Sequence, residues 1–180
     1  MQPGNSLPPP GSDLKRLSGQ LYLSHTGMKF AIDAHAIGQK LTGNETYIRN
    51  LLKGFATLDR DNEFTTFISG PEVSSDIPAR FGREVVSTNP YLRLGYQIAN
   101  RVARLKPDLL HVQYTAPLWC STPVVATLHD VSYLEYPGYF STFRARQLML
   151  TVKRTVQRAA HIITPSEFSR QAVIVGTSSR

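Results

Sequence analysis

The chain of 180 residues has a single cysteine, Cys120. One thiol excludes an intrachain disulfide and a cysteine-built zinc site, and it points to a reducing compartment. Long apolar runs are also missing, so no transmembrane helix is expected, and the N-terminus lacks the continuous apolar stretch of a secretion signal. Acidic residues are in the minority, with 13 Asp and Glu against 20 Lys and Arg, a net charge of +7. That balance admits nucleic acid, an anionic membrane surface or phosphorylated ligands as partners. Zinc-finger spacing, basic heptads and aromatic RNA-binding motifs are absent, so nucleic acid is not an expected partner. Neither G-x-G-x-x-G nor a Walker A loop occurs, and no G-x-S-x-G elbow. His111, His129 and His161 fall on different predicted strands without a spacing that fixes a ligand set, so no metal is expected.

What is present is enough for one globular domain, with 41% hydrophobic and 18% charged residues. Residues 1–27 differ from the rest. "MQPGNSLPPPGS" is rich in Pro, Gly and Ser and cannot bury a core. The segment reads as a flexible leader ahead of a domain at 28–180, and Met28 is a candidate for the true start. From Met28 onward, predicted strands and helices alternate. "KFAIDA" is a first strand, and Ile48, Leu51, Leu52, Phe55 and Leu58 recur at helical spacing after it, with Thr42 and Glu45 in a capping-box pattern. "EFTTFIS" and "REVVST" are strands separated by a loop. A helix from about Tyr91 to Leu105 stops at Lys106-Pro107. "DLLHVQY" and "PVVATLH" are two more strands. A long amphipathic helix from Ser141 to Ala160 follows, then the strand "HIITPS", and Ser166 caps a last helix. Short strands rich in Val, Ile and Leu, alternating with helices, predict an α/β fold, doubly wound, with a mostly parallel Rossmann-like sheet.

In such sheets ligands bind beyond the carboxyl ends of the strands. Those ends carry Asp33 and His35, Ser69 and Gly70, Gln113 to Thr115, His129 and Asp130, and Thr164 to Ser166. Two histidines and two aspartates on one rim predict a polar cleft. His129 and Asp130 point to opposite faces on a regular strand, so they converge only if the strand stops near His129. In "LTGNETYIRNL", a glycine beside a helix N-terminus offers backbone N–H groups to a phosphate, while Glu45 would repel one unless it points away. The helix Ser141 to Ala160 carries Arg144, Arg146, Lys153, Arg154 and Arg158 with no acidic residue, either a solvated face or a docking face for anionic lipid headgroups or a phosphorylated acceptor.

"MKFAIDAHAIGQKLTGNETYIRNLL", "DLLHVQYTAPLW", "PVVATLHDVSYLEYPGYFS" and "RAAHIITPSEFSRQAVI" together resemble the N-terminal half of a group 1, family 4 glycosyltransferase, from Met28 to about Ile174. The resemblance implies a GT-B enzyme, two Rossmann-like domains facing across a cleft, that moves a sugar from a nucleotide-sugar to a polysaccharide, lipid or other acceptor with retention and without metal or further cofactor. It implies that Gly43 and Asn44 approach the donor diphosphate and that His129 and Asp130 lie at the reacting centre. His35, Tyr114 and Tyr133 would contact the acceptor. Many relatives carry paired glycines or G-I-G-R where this chain has Gly43-Asn44-Glu45-Thr46. The family's donor-binding half, with two glutamates seven residues apart, is not among these residues. The expectation is therefore a half-enzyme, inactive alone, with a separate donor-binding chain as a possible partner. A cytoplasmic protein, peripheral at the inner membrane face and engaged in cell-envelope polysaccharide synthesis, fits that reading. Two other readings compete: a non-catalytic α/β module that binds a sugar, lipid headgroup or protein, and a nucleotide-binding dehydrogenase, which the long first loop "AHAIGQKLTGNE" disfavours.

Overall fold

The computed structural model describes residues 14–17, 20–23, 27–39, 42–129 and 142–178. Strands β1 (Leu14–Leu17) and β2 (Gln20–Leu23) pair antiparallel, with Leu14 opposite Leu23. The sequence period over those eight positions is too short to announce a strand pair.

The main sheet is built from β3 (Lys29–Asp33), β4 (Glu63–Ile68), β5 (Gly82–Val85), β6 (Leu109–Gln113), β7 (Val124–Thr127) and β8 (His161–Ile163). Its order is β5-β4-β3-β6-β7-β8, and every pairing is parallel. The chain thus steps outward from β3 in one direction, returns to its other side, and steps outward again. This is the doubly wound order, with its switch point between β3 and β6.

Alternation along the strands assigns each residue to a face. Ile32, Phe64 and Ile68 point to one side, where α1 (Thr42–Leu58) lays Ile48 and Leu52 over them. Phe30, Phe55, Phe64 and Phe81 form a run of stacked rings there, with centroids 4.7–5.3 Å apart. Ala31, Phe67, Leu110 and Val112 point to the other side, against Ile98 and Val102 of α2 (Ile98–Leu105). Both faces are covered, so the strands tolerate apolar side chains at nearly every position. Helix α2 is preceded by an α-turn at Pro90–Leu92 and a π-helical stretch at Arg93–Gln97. It ends as the sequence predicts: Lys106 adopts a left-handed conformation (φ 49°), its N–H returning to Val102 at 2.8 Å, and Pro107 follows. Helices α3 (Thr142–Arg158) and α4 (Glu167–Ser178) bury Val152 and Val173 against Leu128. Ser166 caps α4, its hydroxyl accepting the Ser169 N–H at 3.1 Å.

The bonds that Glu45 makes among the described residues run to the loop and along the helix. Its carboxylate accepts the Gly38 N–H at 3.2 Å and bonds Arg49 at 2.6 and 2.9 Å, while Arg49 also reaches Asp76 at 3.1 Å. Gly38 lies at φ 80° with Val73 2.5 Å from where a Cβ would stand, so only glycine fits that turn. Glu45 therefore pins the β3–α1 loop to the helix, sharing Arg49 with Asp76.

Candidate functional site

The carboxyl ends of β3 and β6 flank the switch point, and a cleft of about 600 Å³ opens there. That volume is within the range of small-ligand sites. Asp33 and His35 come from the end of β3, Asn44 from the first turn of α1, Arg93 from the π-helical stretch, and Gln113 and Tyr114 from the end of β6. Tyr91 and, from α3, Gln147 and Thr151 complete the mouth.

Asp33 is fully buried, and its Oδ1 bonds both the His35 backbone N–H (3.2 Å) and His35 Nδ1 (2.9 Å). Burial pushes its carboxyl up, but the charge and hydrogen bonds of His35 and the charge of Arg93 outweigh that and hold it below the ordinary carboxylate value. Arg93 Nε stands 3.8 Å from Asp33 Oδ2, an ion pair without a hydrogen bond. Burial pulls the guanidinium below its ordinary value, and Asp33 opposes the pull.

The end of β6 is bent sharply. Tyr114 sits at φ 61°, and the Thr115 N–H reaches the Gln113 carbonyl at 2.7 Å, closing a γ-turn around it. This turn form is rare and strained, and such strain concentrates at functional sites. It redirects Gln113 and Tyr114 from strand to rim. Gln113 Oε1 accepts from His129 Nε2 at 2.9 Å, which makes that ring nitrogen the donor. Tyr47, on α1 one turn beyond Gly43, sets its ring edge-on to His129 at 4.6 Å, and Tyr114 stands 5.7 Å away. The Ser169 hydroxyl holds the His129 carbonyl at 3.2 Å.

Behind this rim, Thr127 Oγ1 bridges Tyr47 Oη and His111 Nε2, each at 2.9 Å. His111 is buried, and burial drives its pKa down to about 4, with Asp33 opposing and His129 adding to the fall. His111 is therefore a neutral structural histidine at neutral pH.

The candidate residues thus separate into groups. His35, Asn44 and Tyr114 line one cleft, and Gly43 adjoins Asn44 in the first turn of α1. His129 does not line that cleft; it joins it through Gln113 and Tyr114. Because β7 ends at Thr127, His129 is released from strand alternation, as convergence on a ligand requires. Asp130 and Tyr133 lie outside the described residues. On α3, Arg146 and Arg158 are exposed, whereas Arg154 turns its guanidinium onto the carbonyls of Pro117 (3.1 Å) and Leu118. Sequence reasoning missed Arg93 and Tyr47. Tyr47 was detectable as the position one turn after Gly43 on the same helix; Arg93 carried no sequence signal beyond its helix.

No helix among the described residues is long and apolar enough to cross a membrane. Among the same residues, no group of three His, Cys, Asp or Glu side chains could hold a metal ion.

A six-stranded, all-parallel, doubly wound sheet with a polar cleft at its switch point defines the class: a Rossmann-like α/β domain of the kind that forms one half of a GT-B fold. Residues 41–177 match the family described as Glycosyltransferase Family 4, and the chain belongs to that family. A search of curated proteins returns no match.

Proposed function

We propose that this domain is the acceptor-side wall of a glycosyltransferase that moves a sugar from a nucleotide-sugar to a saccharide or lipid-linked acceptor. The observation that carries the reading is the convergence of His35, Tyr114 and Asn44 on one switch-point cleft, with His129 linked to it through Gln113. The acceptor occupies the cleft between β3 and α3. His129, its Nε2 held by Gln113, orients or deprotonates the attacking hydroxyl. We assign Asp130 to the reacting centre beside His129 and Tyr133 to the acceptor.

Gly43 and Asn44 receive the donor diphosphate. A helix's first turn leaves backbone N–H groups without an intrahelical partner, nothing stands within 4 Å of a Cβ added at Gly43, and the Glu45 carboxylate is turned onto Arg49, which it shares with Asp76. A donor-binding domain across the cleft supplies the opposite wall, because transfer requires both substrates held in near-attack geometry away from water. The exposed Arg146 and Arg158 offer a peripheral contact with an anionic membrane surface.

The experiment joins this domain to a family donor-binding domain and compares wild type with His129→Ala. Loss of a general base or orienting group lowers kcat by about 10²–10⁴-fold with folding intact. Near-normal turnover removes His129 from the chemistry.

A further inference from the structure

Arg93 is 6% exposed, and a guanidinium carries five N–H donors. Only one of them finds an acceptor, Nη1 on the Thr88 carbonyl at a long 3.4 Å. Nε has no hydrogen-bond partner, since the nearest carboxylate oxygen, on Asp33, is 3.8 Å away. Gln113 is 5% exposed, and its Nε2 is likewise without a partner, its Oε1 being taken by His129. Both side chains line the same cleft.

The wall is therefore unbalanced. Asp33 Oδ1 is taken by His35 and Gln113 Oε1 by His129, while Asp33 Oδ2 faces Arg93 Nε at 3.8 Å without a hydrogen bond. Against that one acceptor stand the unspent N–H donors of Arg93 and of Gln113 Nε2. Leaving buried donors unpaired is costly, and a native structure keeps them mainly where a ligand or water completes them. Arg93 opens a π-helical stretch, a backbone form that recurs at functional sites and here sets the residue inward. A single neutral hydroxyl offers two lone pairs beside its one donor, and so meets fewer of these N–H groups than an oxyanion does. A planar or tetrahedral oxyanion brings acceptors only and matches the guanidinium fork.

Taking the cleft as the acceptor site proposed above, we infer that its acceptor is an acidic saccharide whose carboxylate or phosphate is held by Arg93, with Gln113 beside it. Arg93 is then a specificity-determining residue for the acceptor, on the same cleft as Asn44 at the start of α1.

The test is calorimetric titration of the full chain with methyl glucoside, glucuronate, glucose 1-phosphate and UDP. The expected result is that glucuronate or glucose 1-phosphate binds at least tenfold more tightly than methyl glucoside, the tighter of the two identifying the oxyanion. Arg93→Lys keeps a positive charge beside Asp33 but loses the fork; it should cut that preference at least tenfold and leave UDP unchanged. Should the variant fail to fold, competition on wild type decides: inorganic phosphate should displace the acidic sugar and not methyl glucoside. Equal binding of neutral and acidic sugars overturns this inference while sparing the acceptor reading. Absence of any sugar binding overturns both. A loss confined to UDP in Arg93→Lys assigns the arginine to the donor and overturns the inference.

Discussion

Acid should unfold this domain through a histidine that takes no part in the proposed reaction. His111 is 6% exposed between β3 and β7, and its Nε2 is committed to Thr127. The unfolded chain binds its proton near 6.5, the folded chain only near 4. Between those values the unfolded state holds more protons, so stability falls as the pH falls. A gap of that width corresponds to about 3 kcal/mol, a large share of the 5–15 kcal/mol typical of a domain. Asp33 acts in the same direction but in a lower window: its carboxyl is held below 3.8, so its contribution is lost only beneath that pH. The assay is urea unfolding followed by circular dichroism at intervals from pH 7 to pH 4, on wild type and on His111→Gln. The variant lacks the titrating ring and should lose about 3 kcal/mol less across the interval. Parallel stability curves for the two proteins would refute the assignment of a neutral, desolvated His111.

Three further outcomes follow from the same geometry. Gly43→Ala meets open space inside a helix, so it should raise stability by about 0.5–1 kcal/mol in urea unfolding; the proposed donor contact predicts weaker UDP binding in the same variant, since the methyl group occupies the approach. Gly38→Ala forces a side chain into a left-handed position against Val73 and should cost about 1–3 kcal/mol, read as a lowered urea midpoint. Phe67→Ala empties a fully buried site in the sheet and should cost about 3–5 kcal/mol, enough to leave the domain largely unfolded at modest denaturant.

Most strands were legible because their burial is local in origin. "KFAID" and "VVAT" are apolar on both faces, and only a covered parallel sheet accepts that. The doubly wound class followed from the alternation of strands and helices. Which strands lie side by side did not: the neighbourhood of β3 and β6 is a pairing between residues about 80 positions apart, and it creates the cleft. The same limit hid Arg93. An arginine in a helix ordinarily marks a solvent face, and its burial here comes from the π-helical stretch and the aspartate brought to it by the sheet. Tyr114 read as a strand-end aromatic, but its positive φ has no sequence signature in a non-glycine residue. The bond from Glu45 to the loop was not legible, because a capping box and a loop-pinning carboxylate share one spacing; Arg49, four residues on, was the available clue.

The central claim is that one rim, at the junction of β3 and β6, receives the acceptor. Amide NMR spectra of the full chain recorded during a glucuronate titration test it most directly. The account predicts shifts clustered at Asp33 to Ala36, Arg93 to Leu94 and Gln113 to Thr115. Shifts confined to the opposite ends of the strands, around Lys29, Glu63 and Pro107, would contradict it.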